Sequence, residues 1–300
     1  MTHRIGIDLG GTKTEIIMLD ESGKMLLRNR IPTNRDNYPE IIRDIVSLIE
    51  TTEKQFTGKT TIGISMPGAL STENGRVKNS NTVCMNGQDF KKDMETALQR
   101  PVRISNDANC FTLSEAVDGA GMGADVVFGV ILGTGVGGGI TIGGRILQGI
   151  NAIAGEWGHN SLPWPNQEEL PGPQCYCGRR GCIETFLSGP GLMQDYQNCP
   201  GNTFKPADIV AKRMEGDPHA IDVLQRYTDR LARALANVIN IIDPDVIVLG
   251  GGLSNIDTLY EEVPVIWKPY VFSDRIDTSI KKAVHGDSSG VRGAAWLWPA

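Results

Sequence analysis

No stretch of this 300-residue chain approaches the ~18 consecutive apolar residues that a membrane-spanning helix needs. A basic excess is missing too. The formal net charge is −6, which argues against broad nucleic-acid binding because that requires a positive footprint. Nucleotides stay open, since they need only a few local donors. Met1-Thr2-His3-Arg4 leads straight into a strand pattern, without the apolar core of a signal peptide. The expectation is a cytoplasmic protein with neither membrane nor nucleic acid among its partners. Two common phosphate signatures also fail. No G-x-G-x-x-G opens a helix after a first strand, which argues against a dinucleotide fold. Gly58-Lys59-Thr60 resembles the end of a Walker loop, but position 53 is Glu53 and the segment joins a helix to a strand.

What is present is ordinary for a globular protein, with 40% hydrophobic and 21% charged residues. The length suffices for two lobes. Arg4 to Leu9, Thr14 to Leu19 and Lys24 to Arg30 read as an antiparallel meander, with glycine turns at Gly10-Gly11 and Gly23. Pro39 opens a helix with Tyr38, Ile41, Ile42, Ile45, Leu48 and Ile49 on one face. Thr60 to Met66 reads as a strand, Asp89 to Arg100 as a helix, Val102 to Ser105 as a strand and Ala108 to Val117 as a helix.

A second set follows. Val126 to Leu132 is a buried strand running into a glycine loop at 133–139, and Ile140 to Ile142 leaves it as another strand. Pro218 opens a long helix with Leu224, Leu231, Leu235, Val238, Ile239 and Ile242 on one side, stopped by Asp243-Pro244. Val246 to Leu249 is a strand entering Gly250-Gly251-Gly252, and Gly290 to Trp296 reads as a helix with a small-residue face. Each half therefore holds a hairpin with a glycine turn, then helices alternating with strands. The lobes are expected to divide near Asp118 to Gly123, where glycines break the helix, and Leu162 to Pro173 reads as an irregular insertion.

Several of these features suit chemistry, each with a plainer reading beside it. Asp8, followed by Gly10, Gly11, Thr12 and Lys13, puts a carboxylate at a strand end beside a turn whose glycines let backbone N–H groups approach phosphate. Asp8 could hold hydrated Mg²⁺; the alternative is a plain hairpin. Gly133 to Gly139 and Gly250 to Gly252 repeat that logic. Asp107, in Ser105-Asn106-Asp107-Ala108-Asn109, either caps the helix that follows it or serves as a general base. Of the six cysteines, Cys84, Cys110 and Cys199 are isolated and read as small hydrophobes or incidental thiols. Cys175, Cys177 and Cys182 cluster; with His159 they can close a tetrahedral zinc site. Glu156 and Glu184 flank them, either as solvated charges or as groups that hold a hydroxylated substrate. His3, His219 and His285 lack ligand-like neighbours.

These stretches together resemble the ROK sugar kinases. The resemblance rests on Asp8-Leu9-Gly10-Gly11-Thr12-Lys13, Asn106-Asp107-Ala108-Asn109, Gly133-Thr134-Gly135, Glu156-x-Gly158-His159 and Cys175-x-Cys177-Gly178-x-x-Gly181-Cys182-x-Glu184, in the family's order along essentially the whole chain. Within that family the chain most resembles the bacterial manno(fructo)kinase type of fructokinase, on Glu156 to Asn160, Leu162-Pro163-Trp164 and the tail His285 to Pro299.

The resemblance implies a two-lobed, actin-like (ribonuclease H-like) α/β fold with a small zinc-binding insertion. Its first lobe, 1–118, would be completed by a terminal helix at 289–300, and its second would span 119–288 with the zinc segment at 155–184. It implies Asp107 as catalytic base, and structural Zn²⁺ on His159, Cys175, Cys177 and Cys182. The sugar would be met by Gly68, Asn81, Asn106, Asp107, Glu156, His159 and Glu184. ATP would lie among Gly10, Gly11, Thr12, Lys13, Gly133, Thr134, Gly135, Gly250, Gly251 and Gly252, with Mg²⁺ near Asp8. The expected reaction is ATP-dependent phosphorylation of fructose at its terminal hydroxyl, with mannose as a further substrate. The alternatives are kinases for glucose or an N-acetylhexosamine. Sugar-responsive repressors of the same family need a helix-turn-helix ahead of the lobes, and a first strand at Arg4 leaves no room for one. A non-catalytic sugar binder is disfavoured by Asp107 together with the Asp8 loop. A homodimer is the family expectation.

Overall fold

The period-two alternation of Ile5, Ile7 and Leu9 lays down the central strand of the first sheet. In a computed structural model describing residues 2–197 and 204–298, β1 (Thr2–Leu9), β2 (Lys13–Leu19) and β3 (Met25–Pro32) form the expected antiparallel meander. The chain continues through α1 (Tyr38–Glu53), β4 (Lys59–Met66), a hairpin of β5 (Ala69–Leu70) and β6 (Val77–Lys78), α2 (Phe90–Leu98), β7 (Arg103–Asn106) and α3 (Asp107–Asp118). The Asn37 side chain caps α1 by accepting from the Glu40 N–H, with Pro39 in the first turn. Its buried face is Ile41, Ile45, Leu48 and Ile49. Gln99, in the left-handed region at φ 54°, ends α2 earlier than the sequence pattern suggests.

Next come β8 (Val126–Leu132), β9 (Val136–Ile142), β10 (Arg145–Ile146), α4 (Ile183–Leu187), α5 (Gly189–Gln197), α6 (Pro206–Met214) and α7 (Pro218–Ile242). The chain closes with β11 (Val246–Gly250), α8 (Leu259–Ile266), β12 (Ser279–Lys282) and α9 (Ser289–Ala295). Asp217 caps α7 through the Ala220 N–H, and Asp243 at φ 44° ends it. One sheet has the order β3-β2-β1-β4-β7 and the other β10-β9-β8-β11-β12. The same hairpin-then-parallel pattern thus occurs twice, as the echo between the halves suggests. No helix among the described residues is long and apolar enough to cross a membrane.

The chain divides into two compact units. One takes the residues up to Gly123, Gly139–Ala154 and the chain from Val284 onward; the other takes Ala124–Gly138 and Gly155–Ala283. In the first, α9 lies on β1, β4 and α3 through glycines on both sides. A Cβ on Gly6 would collide with the Val291 carbonyl, one on Gly63 with the Ala294 carbonyl, and one on Gly293 with the Cys110 carbonyl. The small-residue face of α9 therefore permits close backbone approach, beside which Val291 and Ala295 pack on Ile17 and Leu19.

The glycine loop expected at 133–139 is shorter than its composition suggests, because β9 begins at Val136. Gly138 makes room for the Trp157 indole, whose Cδ1 would lie 2.7 Å from an added Cβ, and Gly139 faces Thr112 and Ala108 of α3. Glycine here serves packing inside a strand. Cys110 is buried as expected, whereas Cys84 is half-buried with its thiol on the Arg35 carbonyl at 3.0 Å. Cys199 lies outside the described residues.

Candidate active site

In the first unit, β1 delivers Asp8 opposite Ser65 of β4. Lost hydration pushes the Asp8 carboxyl up to about 6, with repulsion from Asp107 and Glu15 adding to the shift and the Ser65 hydroxyl opposing it. Ser65 is fully buried and its hydroxyl lacks a well-formed hydrogen bond. Two carboxyls that repel one another beside a hydroxyl without a well-formed hydrogen bond fit a hydrated Mg²⁺, which takes one or two carboxylates and keeps waters. The turn after β1 closes through Gly10 N–H to the Lys13 carbonyl at 3.0 Å. Gly11 faces open space: the nearest atom to an added Cβ is Asn81 Oδ1 at 3.9 Å. Neither a positive φ nor packing requires glycine there, whereas the approach of a ligand would. Thr12, Lys13 and Asn81 are exposed.

Asn106 and Asp107 sit where β7 passes into α3. Asn106 Oδ1 caps the helix by accepting the Asn109 N–H at 2.9 Å. Asp107 is the first helical residue, and its Oδ1 accepts from the Ala108 N–H at 2.8 Å. Its side chain reaches solvent, yet enough protein surrounds it for lost hydration to hold its carboxyl above the ordinary carboxylate range. The capping role is therefore filled by Asn106, and Asp107 is free to meet a ligand. Gly68 has a purely local explanation: at φ 82°, its missing side chain leaves space for the Lys78 carbonyl and the Ser80 N–H.

In the second unit, Trp157 anchors the segment that carries Glu156 and His159. Its indole N–H donates to the Gly137 carbonyl at 3.1 Å, and its ring meets Phe128 edge-on at 5.5 Å. Glu156 is left exposed. His159 turns Nδ1 toward Cys175 Sγ at 3.6 Å and Nε2 toward the Tyr176 hydroxyl at 2.9 Å. Cys177 and Cys182 bring their sulfurs to 3.6 Å, and all four donor atoms lie within 4.8 Å of one another. Tetrahedral zinc with Zn–S near 2.3 Å implies sulfur–sulfur separations of about 3.7 Å. The donor set and its spacing fit the metal. A hydrogen bond from Arg179 holds the Cys177 thiol down, whereas burial and the neighbouring thiols push Cys182 up, so without a cation the cluster does not hold all its sulfurs as thiolates.

Glu184 stands in the first turn of α4, directly after the capping residue Cys182. Its Oε2 accepts from the Val136 N–H at 2.9 Å. Gly135 makes room for that carboxylate, since an added Cβ would lie 2.7 Å from Oε2. Gly133, like Gly11, faces open space, and Thr134 is exposed. Gly251 takes φ 81° against the Leu132 backbone, while Gly252 has nothing within 4 Å of an added Cβ. The glycine stretches thus each mix one residue needed for packing or turning with one open to a ligand. Sequence reasoning missed Ser65, Trp157 and Tyr176. Ser65 carries no motif, Trp157 stands inside the Glu156 to Asn160 stretch without a chemistry of its own, and only the position of Tyr176 between two cysteines hints at its place.

The model of the ROK family matches residues 4–300. The chain is 41% identical over 296 residues to an N-acetyl-D-glucosamine kinase of Aliivibrio fischeri, covering 97% of this chain and 98% of that protein. Among solved structures, the ROK hexokinase of Thermus thermophilus aligns with a TM-score of 0.87 at 29% identity, over 98% of this chain and 97% of that one. A ROK family glucokinase from Streptomyces griseus, solved with glucose and AMPPNP, aligns with a TM-score of 0.78 at 26% identity, over 98% of each chain. The fold is the two-lobed, actin-like α/β ATPase fold, and the chain belongs to the ROK family.

Proposed function

We propose that this protein is an ATP-dependent hexosamine kinase that phosphorylates the terminal hydroxyl of N-acetyl-D-glucosamine. The observation that carries the sugar assignment is the 41% identity, along nearly the full length of both chains, to a kinase of that name. This favours the N-acetylhexosamine alternative over fructose, and it replaces the manno(fructo)kinase subtype that the local stretches suggested. Two of those stretches, Glu156 to Asn160 and Leu162-Pro163-Trp164, lie near the cysteine motif, where Leu162 is buried and its N–H donates to the Gly181 carbonyl.

In this reading the sugar hydroxyl oxygen attacks the γ-phosphorus of ATP, its proton passes to an Asp107 carboxylate oxygen, and ADP leaves. The first turn of α3 favours the ionised form of Asp107, while its partial desolvation raises its basicity. Mg²⁺ beside Asp8 would offset charge on the phosphates. Gly10 to Lys13, Gly133 to Gly135 and Gly250 to Gly252 would surround the nucleotide. Asn81, Asn106, Glu156, His159 and Glu184 would meet the sugar. Zinc on His159, Cys175, Cys177 and Cys182 would have four protein ligands and no open position, so its role would be structural.

The test is kcat/KM for N-acetylglucosamine, N-acetylmannosamine, glucose, mannose and fructose with ATP. N-acetylglucosamine should lead the series. A preference for fructose would restore the other sugar assignment, and no turnover of any sugar would overturn the kinase reading.

A further inference from the structure

The geometry points to Glu184 as a brace of the Gly133–Gly135 turn, so that one carboxylate serves both the nucleotide and the sugar. This rests on the kinase reading above. Three observations carry it. The Glu184 carboxylate reaches 48 residues back along the chain, where Oε2 accepts the Val136 N–H at 2.9 Å. Gly135 is the residue whose side chain would block that reach. The first residue of α5 holds the other side of the same turn: the Gly189 N–H donates to the Gly133 carbonyl at 2.8 Å, and the Gly133 N–H closes on the Gly135 carbonyl at 3.0 Å. The turn is therefore seated on the 184–189 segment at both of its ends.

That segment is in turn tied to the Cys/His cluster. Cys182 is the residue that precedes α4, and the Ile183 N–H donates to the carbonyl of Asn160, the neighbour of His159, at 2.9 Å. The other carboxylate oxygen, Oε1, has no hydrogen-bond partner among the described residues, and in the kinase reading a sugar hydroxyl would supply one. A hydroxyl bound there would be felt through one rigid group by the turn that Oε2 holds. Glu184 is thus a positioning residue for the nucleotide turn, whatever it does for the sugar. The consequence is reciprocal tightening of sugar and nucleotide, because coupling between two sites acts equally in both directions.

The experiment is calorimetric titration of a non-hydrolysable ATP analogue into the full chain, with and without N-acetylglucosamine. Glu184→Ala should weaken analogue binding about tenfold, as loss of one charge-assisted hydrogen bond implies. It should also abolish the sugar's effect on analogue affinity. Glu184→Gln keeps an oxygen that can accept from Val136 and should recover most of the binding. If Glu184→Ala does not fold, Gly135→Ala replaces it, since its Cβ displaces the same carboxylate. Unchanged analogue affinity in the variant, with only the sugar KM raised, would overturn the brace. A wild type that binds the analogue but phosphorylates no sugar would instead overturn the kinase reading, and the analogue titration would still decide the brace.

Discussion

The Asn106 side chain caps α3 by accepting the Asn109 N–H at 2.9 Å, which leaves the neighbouring Asp107 outside the cap. The two residues are therefore separable by mutation. Asp107→Asn should preserve thermal stability and lower kcat by about 10²- to 10⁴-fold, the usual worth of a general base. Asn106→Ala should cost about 1 kcal/mol of stability through the lost cap. A coupled ADP-release assay beside thermal unfolding checks both; near-normal kcat in Asp107→Asn would remove the base assignment.

Asp8 pays for its place in stability. Its folded-state carboxyl is raised to about 6 from 3.8, so the folded protein binds this proton more tightly than the unfolded chain. That contribution is fully present below pH 3.8 and is lost as pH rises through about 6, leaving an ionised, poorly hydrated carboxylate at neutral pH. Asp8→Asn should then stabilise the protein at pH 7 by up to about 2 kcal/mol, with activity lost. Urea unfolding in Mg²⁺-free buffer at neutral and acid pH measures it. An equal effect of the mutation at both pH values would refute the account.

For the cysteine cluster, Cys177→Ser should drop bound zinc well below one equivalent and cost at least about 2 kcal/mol of stability, since metal binding free energy is folding free energy. Metal analysis and thermal unfolding give the answer. Full occupancy with an unchanged Tm would reject the staple.

At the C-terminal end of α3, Asp118 accepts from the His285 imidazole at 2.9 Å, from Trp296 Nε1 at 3.0 Å and from the Arg292 guanidinium. The hydrogen bond to Asp118 raises the His285 pKa above 6.5 against the opposing effects of burial and Arg292. Asp118 is held below 3.8 by His285 and Arg292 despite lost hydration. The histidine contribution is complete below pH 6.5 and fades as pH rises through its folded pKa. The aspartate contribution is complete above pH 3.8 and fades as pH falls through its folded pKa. Their overlap lies between those values. His285→Gln should cost about 1 kcal/mol at pH 6 and less at pH 8. A cost that does not change with pH would dismiss the protonated pair.

Gly293→Ala drives a methyl into the Cys110 carbonyl, and backbone on both sides leaves little room to yield. A loss of about 1–3 kcal/mol or more is expected in chemical unfolding. A neutral result would mean that α9 packs more loosely against α3 than its geometry indicates.

Much of this architecture is legible in local pattern. The meander, α1 and α7 announce themselves through period-two or helical spacing, and β8 and β11 through apolar runs that enter glycine turns. Others do not. The short helices α4 and α5 carry little periodicity, α8 contains Pro264, which reads as a breaker, and β12 is only partly buried. The glycine run at 137–139 reads as loop because glycine usually marks one. Only the neighbouring Trp157 and α3 explain why a strand needs it there.

The candidate site divides the same way. Asp8, Asp107, the four zinc-type ligands and the glycine turns stand out from the sequence alone, because each is a short run whose residue types and spacing already suit one chemistry. Which groups those side chains meet was decided by tertiary structure. Glu184 finds Val136 across 48 residues, and Asp118 finds Arg292 across 174. Local spacing governs the backbone and the order of donor groups. Hydrogen bonds and desolvation depend on what the folded chain brings within about 3 Å, and no window of neighbouring residues contains that information.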